Sequence, residues 1–154
     1  MNITVLLVDD VEAIRQSVGS MLLETGRFQV IGEAVDGLEA VQKAEELQPD
    51  LILLDIRLPK LDGITAARQI RGLSPKSKIV FLTANDHPEI AEEALSTGAS
   101  GYVVKVDAGR ELFEALEAVI QGEQFVSRIL RVQGNDKIRH REERVKKWRG
   151  DSLR

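Results

Sequence analysis

No cysteine occurs in the 154 residues, which excludes disulfides and thiolate metal sites and fits a reducing compartment. No stretch approaches the ~20 consecutive apolar residues that a membrane span requires. The first apolar run, Ile3–Val8, is too short for a secretory h-region and stops at two aspartates. A soluble, cytoplasmic protein with no membrane association is the expectation. Histidine is scarce as well: His87 and His140 stand alone, neither at a metal-ligand spacing, and surface roles are expected for both.

Charge of one sign is in deficit in each part of the chain in turn. Residues 1–126 hold 11 Lys/Arg against 21 Asp/Glu, a balance of −10, whereas residues 127–154 hold 10 against 4, a balance of +6. An acidic body repels nucleic acid, so only the basic tail leaves a nucleic-acid partner open. With 43% apolar residues, the length suits one domain with its own core.

What is present is an alternation of strand-like and helix-like periods. Apolar runs at Ile3–Val8, Leu51–Leu54, Ile79–Leu82 and Tyr102–Val104 read as strands, and Phe28–Ala34 reads as a further strand. Between and after them, apolar residues recur every three or four positions: Ile14/Val18/Met21/Leu22, Leu38/Val41/Ala44/Leu47, Ile64/Ala67/Ile70, Ile90/Ala94/Leu95 and Leu112/Leu116/Val119/Ile120. Gly26 is placed as a C-cap, Pro49 as a stop and Asp62 as an N-cap. Five β/α units predict a doubly wound parallel α/β sheet, whose ligands sit beyond the carboxyl ends of the strands.

Five polar residues, at four strand ends, lie there: Asp9 and Asp10, Asp55, Thr83 and Lys105. Carboxylates on adjacent strand ends repel, and a hard divalent cation relieves the repulsion; an open oxygen site that keeps its waters suits Mg²⁺. Lys105 and Thr83 supply an ammonium and a hydroxyl suited to phosphoryl oxygens, and Asp55, on the central strand, is the best nucleophile for an acyl phosphate. Taken singly, each has a plainer reading: Asp9 or Asp10 as a helix cap, Thr83 as a strand-end hydroxyl, Lys105 as a solvated lysine. Asp55 precedes no helix start, and the five together form a pattern that the plainer readings do not.

The segments Leu-Leu-Val-Asp-Asp at 6–10, Leu-Leu-Asp-Ile-Arg-Leu-Pro-Lys-Leu-Asp-Gly at 53–63, Phe-Leu-Thr-Ala at 81–84 and Gly-Ala-Ser-Gly-Tyr-Val-Val-Lys at 98–105 resemble the receiver domain of two-component response regulators. Ala-Val-Asp-Gly at 34–37 and Gly-Glu-Gln-Phe-Val-Ser at 122–127 resemble the NarL/FixJ class of receivers. The resemblance spans residues 1–126. It implies a flavodoxin-like five-stranded sheet of order 2-1-3-4-5 with five flanking helices, and a phosphoacceptor switch that assists only its own phosphorylation and dephosphorylation. Asp55 would take a phosphoryl group from a sensor histidine kinase or a phosphotransfer protein. Mg²⁺ would be held by Asp10, Asp55 and the backbone carbonyl of Arg57, with Asp9 acting through water. Lys105 would contact the phosphoryl oxygens, Thr83 would move toward them, and Tyr102 would follow Thr83, altering a surface from the fourth helix to the fifth for a downstream protein or a homodimer. Val106 follows Lys105 where many receivers have proline and a cis bond; NarL-like receivers often lack that proline too.

NarL-class proteins continue into a helix-turn-helix domain, but residues 127–154 show no succession of apolar helical faces, so a receiver without that output domain is expected. In this basic tail Asn135-Asp136 could cap a short helix carrying Ile138, Val145 and Trp148, supported by Glu142–Lys146 and Glu143–Lys147 pairs. A solvated tail, a docking segment and a nucleic-acid contact stay open for it. Two other functions share the fold or the chemistry: a phosphorylation-independent binding module and a Mg²⁺-dependent aspartyl-phosphate phosphotransferase. The latter commonly has an acid two positions after its nucleophile, where this chain has Arg57.

Overall fold

The computed structural model describes residues 2–133. Strands β1 (Ile3–Val8), β2 (Phe28–Ala34), β3 (Leu51–Leu54), β4 (Lys78–Thr83), β5 (Gly101–Val104) and β6 (Phe125–Val126) alternate with helices α1 (Glu12–Thr25), α2 (Gly37–Leu47), α3 (Gly63–Leu73), α4 (Pro88–Leu95), α5 (Ala108–Ile120) and, last, α6 (Arg128–Gln133). They form one sheet of order β2-β1-β3-β4-β5-β6, parallel at every pairing.

The inner strands read as near-continuous apolar runs because both faces of the sheet are covered, whereas edge strand β2 exposes Gln29 and Glu33. Side-chain direction alternates along each strand, so Leu6, Val8, Ile52, Leu54, Phe81 and Tyr102 pack on the side of α2, α3, α4 and α6. Val5, Leu7, Leu51, Leu53, Val80 and Val103 pack on the side of α1 and α5. Helix ends follow the predicted punctuation at two places. Gly26 stops α1 at φ 70, its N–H donating to the Leu23 carbonyl, and Asp62 caps α3, its side chain accepting from Thr65 N.

Among the described residues there are six strands and six α-helices, where five of each were expected. Phe125–Val126 pairs with Gly101–Tyr102, and two residues are too few to show a period. Tertiary packing supplies what propensity does not: Phe125 is 6% exposed and Leu130, in α6, is fully buried. The first residues of the predicted tail are therefore part of the packed body, while the helix foreseen around Ile138, Val145 and Trp148 lies outside the described residues, as does His140. The described backbone holds no cis peptide bond.

Candidate functional site: an acidic cup closed by a lysine

At the carboxyl end of the sheet β1 delivers Asp9 and Asp10, β3 delivers Asp55, β4 ends on Thr83 and β5 leads into Lys105, which opens a 3-10 turn over Lys105–Asp107. Asp9, Asp10 and Asp55 each bring a carboxylate oxygen within 4.8 Å of the others. Lys105 Nζ closes the cup, donating to Asp9 Oδ2 at 2.6 Å and to Asp55 Oδ2 at 2.8 Å. Burial works against the Lys105 ammonium, but hydrogen bonds and charge from Asp55 and Asp9 outweigh it and hold its pKa above the ordinary lysine value. The second oxygens are engaged by backbone: Asp55 Oδ1 accepts from Ile56 N at 2.7 Å and Asp9 Oδ1 from Val11 N at 2.9 Å. The amide at the start of α1 is thus met by Asp9, and the N-cap residue Val11 makes no side-chain cap bond.

An open pocket of about 430 Å³ lies against this cup, lined among others by Asp10, Asp55, Arg57, Thr83, Asn85 and Lys105. Of the site residues that sequence reasoning singled out, Asp10, Asp55, Arg57, Thr83 and Lys105 line this pocket, Asp9 joins the cup through Lys105, and Tyr102 stands one step behind. Thr83 is 1% exposed, and its Oγ1 accepts from Asn85 N at 3.3 Å. Tyr102, fully buried, donates its hydroxyl to the Asn85 carbonyl at 2.8 Å; burial and then the charges of Asp55 and Asp86 push its phenol pKa up. His87 lines the pocket as the N-cap residue of α4, on an exposed position.

The donor set fits Mg²⁺. It is oxygen only, it brings three carboxylates together, and the adjoining pocket leaves room for waters, as a small hard cation demands. Nothing in it resembles the nitrogen or sulfur sets that zinc or copper prefer.

The loop after Asp55 is shaped by two glycines. A Cβ on Gly63 would stand 1.9 Å from the Asp55 carbonyl oxygen, and one on Gly37 would stand 1.9 Å from the Leu61 carbonyl oxygen. Between them Lys60 takes φ 70 as Leu61 N bonds back to the Pro59 carbonyl at 2.7 Å, a tight three-residue turn. Lys60 Nζ is 3.6 Å from Asp36, which also caps α2 by accepting from Glu39 N.

Two supporting groups escaped the sequence reading. Arg15 Nη1 donates to the Asp9 carbonyl at 2.6 Å and Arg15 Nε to Glu33 Oε1 at 2.8 Å; the signal was a cation beside the Ile14/Val18 stripe just after an acidic pair. Buried Ser127 accepts from Val104 N at 2.8 Å and donates to buried Glu111 at 2.6 Å, tying the residue before Lys105 to α5 and α6. No local pattern announces that pair.

Comparison with known proteins agrees with this geometry. Residues 5–117 match the family model of the response regulator receiver domain. The response regulator protein VraR of Staphylococcus aureus is 33% identical over 143 residues, covering 93% of this chain and 68% of VraR. A LuxR-family two-component response regulator from Aurantimonas sp. SI85-9A1 superposes with a TM-score of 0.84 at 29% identity, covering 90% of this chain and 99% of that one. The response regulator domain of Thermotoga maritima CheB gives 0.72 at 32% identity, covering 79% and 96%. This chain belongs to the response regulator receiver domain family.

Proposed function

We propose that the chain is a phosphorylation-driven switch whose acceptor is Asp55. The observation that carries the reading is the Asp55 carboxylate held by the Lys105 ammonium at 2.8 Å on the wall of a pocket that also presents Asp10 and Thr83. A carboxylate oxygen of Asp55 forms a bond to phosphorus as the P–N bond to a phosphohistidine of a sensor kinase or phosphotransfer protein breaks. The imidazole leaves with the bonding pair, and the product is an acyl phosphate. A Mg²⁺ ion held by Asp10, Asp55 and the Arg57 backbone carbonyl, with Asp9 acting through water, supplies charge neutralisation when bound. Lys105 passes from its two carboxylates to the new phosphoryl oxygens as a compact cation with three donors.

The modification adds roughly −1.5 to −2 charge and three acceptor oxygens. Thr83 Oγ1 donates to one of them and gives up the Asn85 amide. That amide belongs to the residue whose carbonyl receives the Tyr102 hydroxyl, so one displaced loop bears on both side chains. The altered surface spans α4, β5 and α5 and is read by a downstream protein. The protein is a cytoplasmic phosphoprotein and turns over no external substrate; among the described residues no helix is long and apolar enough to cross a membrane.

Incubation with acetyl phosphate and Mg²⁺, followed by intact-mass measurement, tests this. One phosphoryl group on the wild type and none on Asp55→Asn is the expected result. An unlabelled wild type, or label retained by Asp55→Asn, refutes the proposal, and sustained turnover of external phosphate esters points to a phosphotransferase instead.

A further inference from the structure

The acidic pair sits in the turn Asp9–Val11 between β1 and α1, and the α1 N-cap contributes no side-chain bond to hold it. Asp9 N donates to the Ala34 carbonyl at 3.1 Å, which fixes where the turn begins. The Asp9 carbonyl is fixed by one group alone among the described contacts, Arg15 Nη1 at 2.6 Å. Arg15 is itself held from the other side by Glu33 of β2 at 2.8 Å, its side chain 11% exposed against 53% for Glu33. A planar guanidinium clamped at Nε presents Nη1 in one direction, which a lysine ammonium would not do. Resting on the Mg²⁺ site assigned above, we infer that Arg15 is a positioning residue for the metal-binding carboxylates, acting through its hydrogen bond to the Asp9 carbonyl.

The sign of its effect separates this role from simple electrostatics. A positive charge behind three carboxylates competes with a divalent cation, so removing the charge should tighten Mg²⁺ binding if charge is all that Arg15 supplies. Removing the donor releases the turn and should weaken binding, as loss of an orienting partner behind a metal ligand commonly does, by about tenfold or more. The two effects oppose, and positioning predicts that the second wins.

Two neutral variants isolate the donor. Arg15→Met keeps a long apolar stem and loses every donor; Arg15→Gln is equally neutral but keeps an amide donor on a side chain that can reach a nearby carbonyl. Mg²⁺ affinity is read from amide shifts in an NMR titration. The expected result is about tenfold weaker binding for Arg15→Met and a clear recovery toward wild type for Arg15→Gln. Binding by Arg15→Met that equals or exceeds wild type, or equal loss in both variants, overturns the inference. Should Arg15→Met not fold, the wild-type Arg15 Nε–H signal decides: slow solvent exchange and hindered guanidinium rotation are expected with and without Mg²⁺, and free rotation overturns the clamp. A wild type that binds no Mg²⁺ would sink the functional assignment and this inference together, whereas wild-type binding with indifferent variants sinks this inference alone.

Discussion

Replacing Lys105 by Met keeps the apolar stem and deletes one ammonium, and the consequences follow from two distances. Nζ lies 2.6 Å from Asp9 and 2.8 Å from Asp55, so the deletion leaves carboxylates facing one another with their oxygens within 4.8 Å. Stripping one partner from a buried ion pair costs about 3–5 kcal/mol. Lys105 keeps a fifth of its side chain exposed beside an open pocket, so screening reduces this to about 2–3 kcal/mol. Urea denaturation in EDTA should show that loss. Magnesium should then restore more stability to the variant than to the wild type, because the cation meets carboxylates that no ammonium occupies. An affinity gain of about tenfold corresponds to about 1.4 kcal/mol of additional stabilisation at saturating Mg²⁺. The sign with pH is fixed too. Lys105 titrates above the ordinary lysine value of 10.5, so its contribution is whole below that pH and fades as pH rises through the folded-state value. The gap between wild type and variant should stay constant from neutrality up to the ordinary lysine value and close as pH rises through the raised one. A loss below about 0.5 kcal/mol in EDTA, or an equal gain from Mg²⁺ in both proteins, would refute the reasoning.

Gly63→Ala should cost about 2–3 kcal/mol in urea melts and slow labelling by acetyl phosphate, since its Cβ would collide with the backbone of Asp55 and Ile56; Gly72→Ala, in the same helix with nothing within 4 Å, should be neutral or stabilising by up to about 1 kcal/mol, and equal effects at the two positions would refute the close-approach argument. Asp62→Ala should cost about 1 kcal/mol near neutrality through the lost cap. Partial burial raises the Asp62 pKa, but its bonds from Thr65 outweigh this and leave it below 3.8; the cap's contribution therefore stands above that pH and fades as pH falls through the lowered value, so a gap that closed already near pH 6 would count against it.

How much of this was legible in the sequence depended on whether a residue's role was local. β1, β2 and β3 fall on their predicted bounds, Ile3–Val8, Phe28–Ala34 and Leu51–Leu54; β1 and β3 do so because strands covered on both faces leave near-continuous apolar runs. Gly26 and Asp62 are legible because a left-handed C-cap and an accepting N-cap each select few residue types. β6 was hidden because its two residues owe their conformation to β5. Arg15 and Glu111 look like ordinary helical charges, and only their contacts with the Asp9 carbonyl and with Ser127 give them a part. Gly63 was read as part of a motif, yet what it spares is a collision with Asp55, a contact invisible until the loop is folded.

The chemistry around Asp9 and Asp55 is nearly symmetrical, and topology breaks the symmetry. Each gives Oδ2 to Lys105 and Oδ1 to a nearby backbone amide, and each is 5% exposed. Contacts to the ammonium therefore do not select a nucleophile. Strand order distinguishes the two: β3 lies between β1 and β4, so a group at its carboxyl end stands between the acidic pair on one side and Thr83 on the other. Asp55 lines the open pocket with Asp10 and Thr83, whereas Asp9 is not among its lining residues. On the proposed reading, a phosphoryl donor approaching through that pocket would meet Asp55 where an ammonium and a hydroxyl stand to receive the transferred oxygens. Asp9, its backbone carbonyl pinned by Arg15 from behind, is placed to hold the cup together.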